Sequence, residues 1–231
     1  MAGGILPNAV LSAYDGLVNA LRQASEDANV GFVKFAEYPS ARFRVDPNDQ
    51  NTALLDLHLH LMEWKARGDT LSILLHAREA INRKTQVLMR SSVHLSYYRV
   101  KGKEAKLLHN VHFDYDGEQD YHPVFHVQLC KDDVVLPKEI TRKLEFQYKR
   151  GNNEYTCYRD ARIPTSDMTF ASVLLCLAAD HLVQGPFFKN IFDSVCAHQE
   201  EMPRPKFAKT KASIAKTPNH LGSSHWFAHM F

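Results

Sequence analysis

Residues Leu107 to Cys130 read LLHNVHFDYDGEQDYHPVFHVQLC. Val111, Phe113 and Tyr115 alternate with Asn110, His112 and Asp114. Further on, Phe125, Val127 and Leu129 alternate with His122, Val124, His126 and Gln128. A period of two sends one set toward a core and the other to the opposite face. Asp116-Gly117 is a turn signal between the two runs. The stretch therefore predicts an antiparallel hairpin with one apolar face and one face rich in histidine and carboxylate. Pairing Tyr115 with Tyr121 sets Asp114 opposite His122 and Asn110 opposite His126, with His112 diagonal to both histidines. Directly paired side chains have Cβ atoms about 4.5–5.5 Å apart, so these groups can meet.

The neighbouring segments extend this pattern. Val87 to Val100 reads as a long strand, with Met89, Val93, Leu95 and Tyr97 on one face and Arg90, Ser92, His94 and Ser96 on the other. An odd-numbered loop around Lys101-Gly102-Lys103 puts Arg90 and His94 on the face of His112 and Asp114. An even loop breaks the apolar face. Before it, Thr70 to Arg83 predicts a helix, carried by Leu71, Leu74, Leu75, Arg78 and Ile81 with Asp69 as cap. Leu54 to Trp64 is ambiguous: Leu55, Leu57, Leu59 and Leu61 alternate with Asp56, His58, His60 and Met62, which favours a strand, while the residue types are good helix formers. Ala9 to Ala24 has apolar residues at three- and four-residue steps and predicts an amphipathic helix. Asn29 to Tyr38 and Ala41 to Val45 read as strands.

Downstream, Lys143 to Tyr148 and Glu154 to Arg159 flank the turn Arg150-Gly151-Asn152-Asn153 and predict a second hairpin. Asp167 to Val183 predicts a helix capped by Thr165 or Ser166, apolar nearly all round and therefore buried. A last helix starts at Pro186. Val173, Leu174, Leu177, Phe188 and Phe192 are expected in the core. The fold class expected is α+β: an antiparallel β-sheet with helices at the N- and C-terminal ends packed on one face. Residues 1–202 are expected to form a single domain and 203–231 a basic, flexible C-terminal tail.

The 231 residues are 45% hydrophobic, enough for a sizeable core, and a net charge of +2 gives no global attraction to nucleic acid or membrane. From Pro203 onward the basic residues Arg204, Lys206, Lys209, Lys211 and Lys216 stand without a carboxylate. The reading of that tail is a solvated arm, with nucleic-acid contact as the alternative. Four widely spaced cysteines with no C-x-x-C pair suit reduced thiols in a cytoplasmic protein. No signal peptide or membrane-length apolar run is visible.

For chemistry, His112, Asp114, His122 and His126 are the candidate catalytic group. Two of these histidines can exchange a proton with a phosphodiester while Arg90 or Arg162 neutralises phosphate and Gln128 contacts substrate. The substrate would then be RNA or a nucleotide. The same imidazoles and carboxylate suit a divalent transition-metal ion, although no familiar ligand spacing is present. The third reading is a hydrogen-bonded polar face that binds a partner or merely faces water. His58 and His60 read as structural or surface residues. Arg162 before Ile163-Pro164 reads more readily as half of an ion pair than as a phosphate contact. No P-loop, Rossmann fingerprint or nucleophile elbow appears.

The order Phe113-Asp114-Tyr115-Asp116, then His122-Pro123, His126 and Arg162-Ile163-Pro164 before an apolar helix resembles an uncharacterised bacterial family, domain-of-unknown-function family 2290. The resemblance covers roughly Met89 to Leu182. It implies a bacterial, cytoplasmic protein and supplies no activity.

Overall fold

Where alternation of apolar and polar residues persists longest, the chain forms its longest strands. The computed structural model describes residues 4–27, 34–38, 43–66, 69–116, 125–130, 147–149, 162–164, 169–181, 187–198 and 200–205. Helix α1 (Asn8–Asp27) is followed by strands β1 (Lys34–Tyr38), β2 (Phe43–Val45), β3 (Thr52–Ala66), β4 (Asp69–Asn82), β5 (Val87–Lys101), β6 (Glu104–Asp116) and β7 (Phe125–Cys130). Short strands β8 (Gln147–Lys149) and β9 (Arg162–Pro164) come next. Helices α2 (Phe170–His181) and α3 (Phe187–His198) and the short strand β10 (Arg204–Pro205) complete the described order. The class is α+β.

Strands β3 to β7 form an antiparallel meander, with β1 and β2 one after the other along the outer edge of β3 and β9 on the outer edge of β7. Two parallel pairings, β8 on β6 and β10 on β5, make the sheet mixed. One face of the meander carries the main core: Leu55, Leu57 and Leu59 of β3, Ile73, Leu75, Ala77 and Ile81 of β4, Val93 and Leu95 of β5, and Phe113 and Tyr115 of β6. Val10, Tyr14, Leu17, Val18 and Leu21 of α1 and Phe170, Val173, Leu174 and Leu177 of α2 join the same cluster. On the other face Leu74, Tyr98, Ala105 and Leu107 form a second, smaller cluster.

The expected helix at Thr70 to Arg83 is the strand β4, paired along its length with both β3 and β5. Leu71, Leu74, Leu75, Arg78 and Ile81 fit a helical stripe, yet Leu74 belongs to one face and Leu75 to the other. The alternation was masked by Glu79, a charged residue in an inward position, 3% exposed. Hydrogen bonds from two flanking strands outweigh the helical propensity of these residue types, which is a weak preference.

The β5–β6 turn has the even number of residues that the alternation disfavoured, with Gly102 at φ 60° in the first central position, as a tight two-residue hairpin requires. The faces are rescued by a bulge. Pairing shifts between Tyr97↔His109 and Tyr98↔Leu107, so Leu108 is the extra residue and the alternation is restored beyond it. A second shift, at Ala80↔Arg90 and Ile81↔Leu88, places Leu88 rather than Met89 in the core with Val93. The register of β6 and β7 also differs from expectation. Tyr115 pairs with Phe125 and Asp114 with His126, four positions along from the pairing with Tyr121 and His122. Because four is even, the faces are unchanged. Gly117 and His122 lie outside the described residues, as does the stretch Glu154 to Arg159.

Helix α2 opens at Phe170, later than expected, with Thr169 as the preceding residue whose carbonyl accepts from the Val173 amide at 2.9 Å. Thr165 and Ser166 lie outside the described residues. Phe192, expected in the core, is 47% exposed on α3. That helix meets α1 at Gly16, where the imidazole of His198 approaches so closely that a Cβ would lie 2.3 Å from its Nε2. Arg204 and Pro205 extend the sheet beside Val87 and Leu88.

One polar knot lies inside the main core. The Tyr14 hydroxyl donates to Oε2 of Glu79. The Ser91 hydroxyl donates to Oε1 at 2.9 Å, and the Phe170 amide donates to the same oxygen at 3.1 Å. Burial, and then the Glu79 charge, push the Tyr14 hydroxyl well above its ordinary range, so it remains a donor. Removing the carboxylate leaves these buried donors without an acceptor. Glu79→Ala should cost about 1–3 kcal/mol for a buried donor left unpaired, and Glu79→Gln less, because its amide carbonyl still accepts. Urea unfolding of the three proteins checks this, and equal stability of wild type and Glu79→Ala would exclude the knot as an anchor. Leu177→Ala, in a side chain 1% exposed, should cost about 2–5 kcal/mol by the same measurement.

Candidate functional site

In Leu54–His60 of β3, Leu74–Ala80 of β4, Arg90–Ser96 of β5 and Asn110–Asp114 of β6 the even-numbered residues point away from the main core, and the antiparallel registers line them up in rows. His58 pairs with His76, His76 with His94, and His94 with His112. Four adjacent strands thus contribute one imidazole each to a single row, which continues to Gln128 on β7 and Arg162 on β9. The next row runs Asp56, Arg78, Ser92, Asp114, His126 and Pro164. Beyond it Arg90 lies opposite Asp116.

The imidazoles group in two stacks. His58 and His76 have ring centroids 3.9 Å apart at 14°, and His94 and His112 are 3.7 Å apart at 26°. Between the stacks the His76–His94 distance is 6.5 Å. Each stack has its own carboxylate. Asp56 Oδ1 lies 2.8 Å from His76 Nε2 and 3.8 Å from His58 Nδ1. Asp114 Oδ1 lies 2.6 Å from His112 Nε2, and Ser92 Oγ lies 3.0 Å from that nitrogen and 3.3 Å from His94 Nε2. Arg78, an exposed residue, stands in its row between Asp56 and Ser92.

Burial grades across the face. His58 is 3% and His60 0% exposed, whereas the His112 and Asp114 side chains are 19% and 21% exposed. Burial disfavours the charged ring. It lowers His58 from its ordinary value near 6.5 to about 4, with the His76 charge adding to the effect, and it lowers His60 to about 4. His94 falls to about 3, through burial first and the neighbouring His112 second. His76 is lowered by burial as well, against the opposing pull of its hydrogen bond to Asp56. His60 Nε2 lies 2.6 Å from the hydroxyl oxygen of Ser72. Of the structural and surface placements expected for His58 and His60, the structure has the buried, structural one.

Of the residues singled out from sequence, His112 and Asp114 are in direct contact, and backbone register sets His126 opposite Asp114 and Gln128 between His112 and Arg162. Arg90 is exposed on the same face. His122 lies outside the described residues. Sequence reasoning missed His76 and Asp56 as partners and Arg78 as the nearby cation, because β4 was expected as a helix. A signal was present: His58, His76, His94 and His112 recur at steps of 18 residues, a regular spacing that a meander of equal hairpins produces. No protein-family model, curated protein or solved structure matches the chain.

The buried rings make stability depend on pH. Unfolded, they take up a proton near pH 6.5; folded, His58 and His60 do so only near 4 and His94 near 3. Between these values the unfolded chain binds more protons, so stability falls as pH falls. The loss should reach about 1.4 kcal/mol per pH unit for each such histidine. Urea titrations from about pH 8 to about pH 4 should show this slope below 6.5, and His60→Gln should reduce it. A flat profile for the wild type would contradict the neutral, buried row.

Proposed function

We propose that the protein acts on a phosphodiester, of RNA or of a nucleotide, through the His112 end of the histidine face. The observation that carries this reading is the 2.6 Å contact between His112 Nε2 and Asp114 Oδ1, half-buried beside the Ser92 hydroxyl. A carboxylate so placed fixes the imidazole orientation and supports positive charge on the ring during proton transfer. In this reading His112 takes the proton of the attacking hydroxyl or water, and His126, opposite Asp114 in the ladder, returns one to the leaving oxygen. Arg78 and Arg90, both exposed on this face, balance the charge that develops on the phosphoryl oxygens. Arg162 and Gln128, next along the ladder, extend the contact to substrate.

Helices α1, α2 and α3 form one layer on the face away from the histidines. The protein is cytoplasmic and bacterial, in keeping with the resemblance to family 2290. Among the described residues no helix is long and apolar enough to cross a membrane.

A second reading is a non-catalytic binding module, an accessory part of a defence or toxin–antitoxin system. One observation favours it: neighbouring strands already engage several of the imidazoles, as in the His60–Ser72 and Ser92–His112 contacts.

The test is a panel of RNA and nucleotide phosphodiesters. His112→Ala and His126→Ala should each lower the cleavage rate by about 10²–10⁴-fold, with far-UV circular dichroism and thermal midpoint unchanged. His109→Ala, whose ring stacks on Tyr97 of the opposite face, should leave the rate unaltered. A wild-type protein inert on the whole panel removes the enzymatic reading in favour of the binding module.

A further inference from the structure

At the other end of the histidine row, Asp56, His58 and His76 each bring one ligand atom within 4.8 Å of the others. The 14° angle between the stacked rings of His58 and His76 sets their edges side by side, and the Asp56 carboxylate lies against both. His58 is the informative member. It is 3% exposed, and neither of its ring nitrogens has a hydrogen-bond partner among the described residues. A buried polar group is seldom left without a partner, and an imidazole nitrogen has one common use besides hydrogen bonding, which is ligation.

We propose that Asp56, His58 and His76 bind a divalent first-row transition-metal ion. Two imidazoles and one carboxylate are a borderline donor set that suits Zn²⁺, Fe²⁺ or Co²⁺ and does not suit Mg²⁺ or Ca²⁺. Three protein ligands leave at least one coordination position open. Asp56, with its side chain 44% exposed, gives the ion a path from solvent. Ligand bonds of about 2.0–2.2 Å require the three donors to draw together, by rotation of the two rings out of their stack. Arg78, opposite Asp56 in the ladder, opposes a bare cation and favours an anionic fourth ligand, such as a phosphate or carboxylate oxygen. The inference stands whether or not His112 transfers a proton, because its ligands and its readout are separate from that reaction.

The experiment is a titration of the full-length, chelator-treated protein with Co²⁺, followed by visible absorption and by the shift in thermal midpoint, with Zn²⁺ competition as a second arm. The wild type should bind one equivalent, gain thermal stability and release Co²⁺ to Zn²⁺. Asp56→Asn, at a half-exposed position that tolerates the change, and His76→Gln should each weaken binding by at least about tenfold, the loss that even the outer partners of a metal site produce. Asp114→Asn should bind as the wild type does. Absence of binding in the wild type, or affinity unchanged in both Asp56→Asn and His76→Gln, would overturn the assignment. The second outcome would place the ion on other histidines of the chain.

Discussion

A carboxylate deep in an apolar core must be met by donors on every side, and Glu79 meets that demand by joining three elements. Tyr14 reaches it from α1, Ser91 from β5 and the first amide of α2 from the far end of the chain. The Phe170 amide is one of the donors that a helix start leaves unsatisfied, and the helix N-terminus favours a negative charge. The same contacts fix which way β4 faces. With Glu79 turned inward, Leu75, Ala77 and Ile81 face the core, and His76 and Arg78 are committed to the opposite side. A one-residue slip of β4 would bury Arg78 and expose Leu75, a change that the core does not permit.

The histidine face follows from that commitment. Once β4 lies in register between β3 and β5, His58, His76, His94 and His112 occupy one row, and the polar residues two positions along occupy the next. The row passes from buried to half-buried surroundings, so chemically identical side chains are put to different uses. His60 is buried and His94 half-buried, and both are neutral and hydrogen-bonded within the sheet. His58 is equally neutral yet lacks such a bond. His112 lies at the less buried end, in contact with a carboxylate. The two stacks each pair an imidazole couple with one carboxylate, and Arg78 and Ser92 stand between those carboxylates.

Much of this was legible in the sequence wherever alternation was uninterrupted. The strands β3, β5, β6 and β7, and the helices α1 and α2, were each visible from residue period. The sharing of one face by His94, His112, Asp114 and His126 followed from it. What the sequence concealed has local physical causes. Glu79 broke the apolar alternation of β4 because its solvation comes from donors distant in the chain. Leu108 compensates an even turn by a bulge, which no residue type announces. Phe192 fits an apolar stripe on α3 but stands 47% exposed, since periodicity says which side is apolar and not what covers it. The metal-ligand geometry at Asp56, His58 and His76 depends on pairing β3 with β4, so the helical reading of β4 removed it from view.

The account rests on residues 69–82 being a central strand pinned by Glu79, and the most direct test is nuclear Overhauser spectroscopy on the histidine-labelled, backbone-assigned protein. It predicts ring-to-ring contacts between His58 and His76 and between His94 and His112, together with the long-range Hα–Hα contacts of antiparallel pairing on both sides of β4. Sequential amide contacts of helical type through Ile73 to Arg78, with no ring contact between His58 and His76, would contradict it.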